Sequence, residues 1–323
     1  MRWIVAVLLG LFTVSAVTPR AAIADVWPSK PIRIIVSFTP GSATDIIARL
    51  VFQEVSAQIG QSIIIENRGG AGGTIGTAAV AKSAPDGYTM LVNAAGHAAA
   101  PWVYPNLTYD TAKDLSGVTP LANVPNALVV APNGKFATVA DIIAAARARP
   151  GTITYASAGT GTASHLNAER FRLTAKFEGV HVPFRGAPEA LTEIMAERLD
   201  FFWVPVTPAL SAIREGKLKA LAVSTTNRAS ALPDVPTTLE LGLPESDYNF
   251  WIGLFVPSKT PREIVQRIHS EVSKAVQAPS VKARIGSLGA EAMLMSPEQF
   301  DTYVKRDIAS NEALVKAAGV TEK

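Results

Sequence analysis

The chain has no cysteine in 323 residues. That excludes disulfides, thiolate metal centres, cysteine nucleophiles and a lipid anchored on an N-terminal cysteine. Basic runs are missing as well. The formal charge is only +3, and Arg2 and Arg20 contribute two of those charges, so nothing favours nucleic acid. The four histidines, His97, His165, His181 and His269, show no H-E-x-x-H or other metal spacing, and no metal or cofactor is expected. No G-x-S-x-G elbow is present, and the loop serines have no evident base. No catalytic constellation can be assembled, so the chain is expected to bind rather than catalyse.

Long apolar runs are also absent, except at the start. Arg2, the apolar stretch Trp3–Val17 and the small residues Ala22-Ile23-Ala24 have the three parts of a secretory signal peptide, residues 1–24. Fifteen apolar residues are short for a membrane span. The expected product is a soluble exported protein of roughly 300 residues, enough for two lobes with separate cores.

What remains alternates between strand and helix. Ile32–Ser37 is a β-branched run. Ile46, Ile47, Leu50, Val51, Val55 and Ile59 follow at helical spacing, closed by Gly60. Ser62–Glu66 and Thr89–Asn93 are further strands, which predicts a mostly parallel α/β sheet covered on both faces. The pattern restarts after Pro125, and Thr152–Phe184 again reads strand, small-residue loop, helix, strand. This echo fits either generic βαβ units or two similar lobes, each presenting a helix N-terminus to a shared cleft.

Two loops carry the chemistry. "SFTPGSATD", Ser37 to Asp45, and "SAGTGTASHL", Ser157 to Leu166, are glycine, serine and threonine turns that each open a helix. Such turns offer free amides and the positive end of a dipole to an anion. The first lacks the lysine of a phosphate-binding P-loop. The second matches G-x-G-x-x-S at Gly159–Ser164, but the strand after it ends in Phe184-Arg185 with no acid, which excludes a dinucleotide site. A small carboxylate held by amides, Ser42, Thr160 and Thr162 fits better, with Asp45 fixing its own loop.

These motifs, together with "YASAGTGTASHL", "VHVPFRG", "LKALAVSTTNRASALPDVPTTLELGLP" and "WIGLFVPSKTP", resemble the Bug family of periplasmic solute-binding proteins. Those are the binding components of tripartite tricarboxylate transporters. The resemblance spans essentially the whole mature chain. It implies a type II periplasmic binding fold of two Rossmann-like lobes that close like a flytrap on a carboxylate in the cleft between them. Lobe 1 would be residues 25–124 and 229–323, and lobe 2 residues 125–228. The implied partners are a small organic carboxylate and a tripartite transporter permease, with the protein itself a monomer. A sensory role for the closed form, or an exported hydrolase on the same fold, are the alternatives.

Carried over by position, the ligand-binding residues are Phe38, Gly41, Ser42, Ala43 and Asp45 from the first loop, and Gly96 and His97 after the third strand. Lobe 2 would add Thr160, Gly161, Thr162, His165, Arg185, Gly186, Trp203 and Val204. The departures bear on specificity. Val204 stands where relatives often carry Asp and Pro205 where they often carry Asn, which argues against amino acids. Trp203 alongside either fills the lobe 2 core with Phe202 or favours an apolar or aromatic carboxylate, with aliphatic dicarboxylates also open; Arg185 is either solvated or a partner for a second carboxylate.

Overall fold

The computed structural model describes residues 27–322; the expected signal peptide lies outside the described residues. The first lobe begins with β1 (Ile32–Val36), α1 (Ala43–Ile59), β2 (Ile63–Asn67), α2 (Thr74–Ala81), β3 (Thr89–Ala94), α3 (Ala100–Val103) and β4 (Leu115–Asn123). The second contains β5 (Asn126–Val130), α4 (Val139–Ala148), β6 (Ile153–Ser157), α5 (Ala163–Ala175), β7 (Gly179–Pro183), α6 (Ala187–Met195), β8 (Phe201–Pro205), α7 (Val206–Arg214) and β9 (Lys219–Val223). The chain returns to the first lobe as β10 (Trp251–Pro257), α8 (Arg262–Gln277), α9 (Pro279–Ser287), β11 (Glu291–Ala292) and α10 (Pro297–Ala318). Among the described residues no helix is long and apolar enough to cross a membrane.

The two sheets repeat one topology. The first runs β11-β4-β10-β3-β1-β2 and the second β7-β6-β8-β5-β9. In each, a parallel trio is joined by one antiparallel strand that enters just after a crossover: β10 beside β3, and β5 beside β8. The internal echo is therefore a pair of similar lobes. The crossovers lie against one another, with Val124 N donating to Phe250 O at 2.8 Å and Tyr248 N to Ser224 O at 2.7 Å.

The second crossover falls later than residue 229. Ala229 and Leu232 pack in the lobe 2 core, and Thr237 bridges Val223, whereas Tyr248 and Phe250 already belong to the lobe 1 core. Proline density in this stretch reads as a linker, but Leu232, Val235 and Leu243 need an apolar face and find it on lobe 2. Strand β4 is masked in the sequence by Gly117 and Pro120. It survives because the register shifts opposite it on β10 absorb the irregularity.

Strand alternation divides the lobe 2 core by face. Ala127, Val129, Phe202 and Val204 pack against α6 and α7, while Leu128, Val130, Phe201 and Trp203 pack against α4 and α5.

The lobes touch through glycines. A Cβ on Gly96 would lie 3.1 Å from Thr162 Cα, and one on Gly72 2.8 Å from Thr160 O. Tyr104 OH donates to Thr160 O across the same gap at 2.8 Å. The tightest approach is Gly186, where a Cβ would stand 2.0 Å from Thr39 Oγ1 and 3.1 Å from Thr39 Cβ. Its backbone is extended, so the constraint is space alone. Gly186→Ala is expected to hold the lobes apart and raise the radius of gyration in solution scattering, and adding Thr39→Gly should restore it. An unchanged radius in the single variant would contradict this contact.

Candidate functional site: two helix N-termini at one cleft

Each lobe builds its loop by the same device. In the first, Gly41 takes a left-handed φ of 79°, which glycine adopts without strain. Ser42 then caps α1, its hydroxyl accepting from Asp45 N at 3.2 Å. Asp45 turns back to accept from Gly41 N at 3.0 Å, Asn67 Nδ2 at 2.8 Å and Arg49 Nε at 2.9 Å. Burial alone would raise the Asp45 pKa, but these bonds from Arg49, Gly41 and Asn67 outweigh it and hold the carboxyl below its usual range. Asp45 is fully committed to shaping its loop.

In the second lobe Gly161 has a φ of 69°, Thr162 occupies the cap position of α5, and Gly161 N donates to His165 Nδ1 at 3.1 Å. Gly41-Ser42-Ala43-Thr44-Asp45 and Gly161-Thr162-Ala163-Ser164-His165 are thus structural counterparts, each with the fifth side chain clamping the first amide. Because Nδ1 accepts, the His165 proton sits on Nε2, facing Glu169 Oε1 at 3.6 Å. Glu169 also accepts from Tyr155 OH and, at 2.7 Å, from Arg172. Its burial favours the neutral acid, but bonds from His165, Arg172 and Tyr155 prevail and bring its pKa down to about 2. His181 stacks on His165 with ring centres 3.6 Å apart and meets Ser157 Oγ at 2.6 Å.

Between the loops lies an interlobe cavity of about 30 Å³. Phe38, Ser42, Ala43, Thr44 and Phe250 line it from lobe 1, and Ala158, Thr162, Ala163, Ser164, Ala187 and Pro205 from lobe 2. The first-turn amides of α1 and α5 have no intrahelical acceptor by position, and none of the lining residues is charged. The arrangement offers donors and two dipole ends to an anion in an otherwise apolar space. No group of three His, Asp or Glu side chains placed to hold a metal occurs among the described residues.

The expected ligand residues separate accordingly. Phe38, Ser42, Ala43 and Thr162 line the cavity, although the Thr162 hydroxyl is engaged by Gly159 O at 2.7 Å. Gly41, Asp45, Gly161 and His165 shape the loops, while Gly96, Thr160 and Gly186 make the lobe contact. Four of the expected residues lie outside the cavity lining. His97 is buried against Phe255 at 4.8 Å and bonded to Asn93, because the turn after β3 points it into the lobe core. Trp203 and Val204 sit in the two opposed cores of lobe 2, as strand alternation requires. Arg185 is exposed, since Gly186 next to it makes the contact with Thr39. Sequence reasoning missed Thr44, Ala158, Ala163, Ser164, Ala187 and Phe250 as lining residues and read Pro205 only as a departure in specificity; the matched spacing of the two loops held the signal for Thr44 and Ser164.

The chain matches the family model described as tripartite tricarboxylate transporter family receptor over residues 47–320. It belongs to this family. Among relatives, the UPF0065 protein in the tcbD-tcbE intergenic region of Pseudomonas sp. strain P51 is 37% identical, covering 92% of this chain and 88% of the relative. Protein BugT of Bordetella pertussis is 31% identical over 98% and 97%. The R. palustris protein Rpa4515, solved with adipate, superposes with a TM-score of 0.87 at 33% identity, covering 91% of this chain and 98% of that one. MatC of Rhodopseudomonas palustris, solved with malate, gives 0.85 at 32% identity over 90% and 100%. The chain is a Bug-type periplasmic receptor with the two-lobed binding-protein fold.

Two desolvated imidazoles, buried His97 and half-buried His181, set the acid sensitivity of this receptor. Burial pushes His97 down to about 4, and burial with the neighbouring His165 brings His181 down to about 3 despite Glu169. Both folded values lie below the unfolded one, so their contribution is complete above about pH 6.5 and is lost as pH falls toward the folded values. Each costs about 1.4 kcal/mol per pH unit within that window. Asp45 and Glu169 are depressed carboxyls, whose contribution is present above about pH 4 and is lost below it. Denaturant unfolding should show stability falling steadily from pH 6.5 to 4, with a shallower slope in His97→Gln. A flat profile would contradict the buried neutral imidazoles.

Proposed function

We propose that the exported protein captures the carboxylate of a small organic acid between its two lobes and delivers it to a membrane permease, without catalysis. The observation that carries this reading is the pair of helix N-termini facing one uncharged cavity. Hydrogen bonds from backbone amides to a carboxylate are stronger than neutral ones and need no arginine. Residues Arg2 to Ala24 have the pattern of an export signal, and the family supplies the transporter as partner. Adipate and malate in structural relatives support a carboxylate as the ligand class.

The cavity lining narrows the class. Phe38, Phe250, Pro205 and the alanines suit an apolar body, and no lining cation offsets a second buried charge. An aromatic or aliphatic acid with one buried carboxylate fits best. A cavity of 30 Å³ is near the volume of a single water, so entry requires hinge opening and capture requires closure.

Calorimetry of the mature protein with benzoate, hexanoate, adipate, malate and aspartate tests this. Benzoate or hexanoate should bind, with aspartate weakest. Ala43→Pro removes one first-turn amide at a position where proline suits the helix, and the extended Ser42 before it tolerates proline. It is expected to weaken binding about tenfold or more, the loss of one hydrogen bond to a charged group. No binding of any acid, or undiminished binding in the variant, would contradict the proposal.

A further inference from the structure

Beneath the cavity floor lies a buried polar layer that the carboxylate reading does not use. Asn126 and Asn167 are fully buried, and all four of their side-chain amide atoms lack a hydrogen-bond partner among the described residues. The Trp203 indole N–H is equally buried and unpartnered. Buried polar atoms are normally paired, because an unmade bond there costs the full desolvation of the group.

Topology brings the two carboxamides to one depth, with the Trp203 indole one rank deeper. Leu128 faces Trp203 across the β5–β8 pair, and Asn126 faces Pro205 one rank nearer the cleft on the same side of the sheet. On α5, Phe171 meets Trp203 edge-on at 5.8 Å. Asn167 is one turn nearer the helix N-terminus on the same stripe, and Ala163 one turn further. One helical turn and two strand residues both advance about 6 Å, so the two carboxamides fall at one level. Pro205 beside Asn126, and Ala163 one turn above Asn167, line the cavity. The carboxamides do not bond each other, which leaves them to a group placed between.

We propose that Asn126, Asn167 and the Trp203 indole N–H form the deep end of the ligand site and select an acid bearing an uncharged hydrogen-bonding group, a hydroxyl or carbonyl, remote from its carboxylate. This rests on the cleft being the carboxylate site. A carboxamide both donates and accepts, which matches a hydroxyl, whereas a carboxylate only accepts and would leave both Asn oxygens unpaired. The ligand class becomes a hydroxy or oxo carboxylic acid, with the apolar segment against Phe38 and Phe250.

The test is calorimetry of the full mature chain with two matched sets: benzoate against 4-hydroxybenzoate, and hexanoate against 6-hydroxyhexanoate and adipate. In at least one set the hydroxylated acid should bind tenfold or more tighter than its parent, with adipate gaining nothing over hexanoate. In Asn167→Leu, Asn126→Leu and Trp203→Phe, each checked by thermal unfolding, that ratio should fall toward one. Equal binding of parent and hydroxylated acids by the wild-type protein would overturn the inference and leave the carboxylate site standing; this arm needs no variant to fold. A preference that survives in folded variants would overturn it too. Failure of every acid to bind would remove the carboxylate reading and this inference together.

Discussion

The proposed site depends on backbone amides at the first turns of α1 and α5 that no helical carbonyl can accept from. An amide is a fixed donor with no charge to neutralise and no side-chain rotamer to freeze. Two helix ends meeting at one point can therefore hold an anion where an arginine would first have to be desolvated. The cost falls on the loops, which must expose those amides while holding a fixed shape. The glycine in left-handed conformation, the capping residue and the returning fifth side chain meet that demand in each lobe.

The lobes reach the same loop geometry with different chemistry. Asp45 is ionised and anchored by Arg49 and Asn67, so its loop is insensitive to mild acid. His165 has its proton placed by Glu169, which Arg172 and Tyr155 hold in turn. The close approach of the lobes depends on steric economy. Gly72, Gly96 and Gly186 let one backbone approach the other, and the crossovers pair at Val124–Phe250 and Ser224–Tyr248.

The fold was largely legible in the sequence because strand–loop–helix periodicity repeats in both halves and the family motifs occur in order. The site was legible only to the level of its loops. Ser42 and Thr162 could be placed because helix caps are local features, and Asp45 could be given a loop-fixing role for the same reason. Trp203 and Val204 could not be assigned to the core from sequence, since a fully buried strand carries large apolar residues on both faces and conceals which one meets a ligand. The same concealment hid Asn126 and Asn167, which read as ordinary polar residues until their burial is seen. Strand β4 and the late second crossover were obscured by proline, whose effect is cancelled by bulges and by packing that only tertiary structure supplies.

The claim that most needs direct measurement is that both lobes hold the same carboxylate. Amide resonances of Thr44 and Ser164 in isotope-labelled protein, followed through titration with a bound acid, address it. Both protons should move downfield along one saturation curve as they bond to the carboxylate. Movement in only one lobe, or in neither while calorimetry reports binding, would contradict the shared anion site.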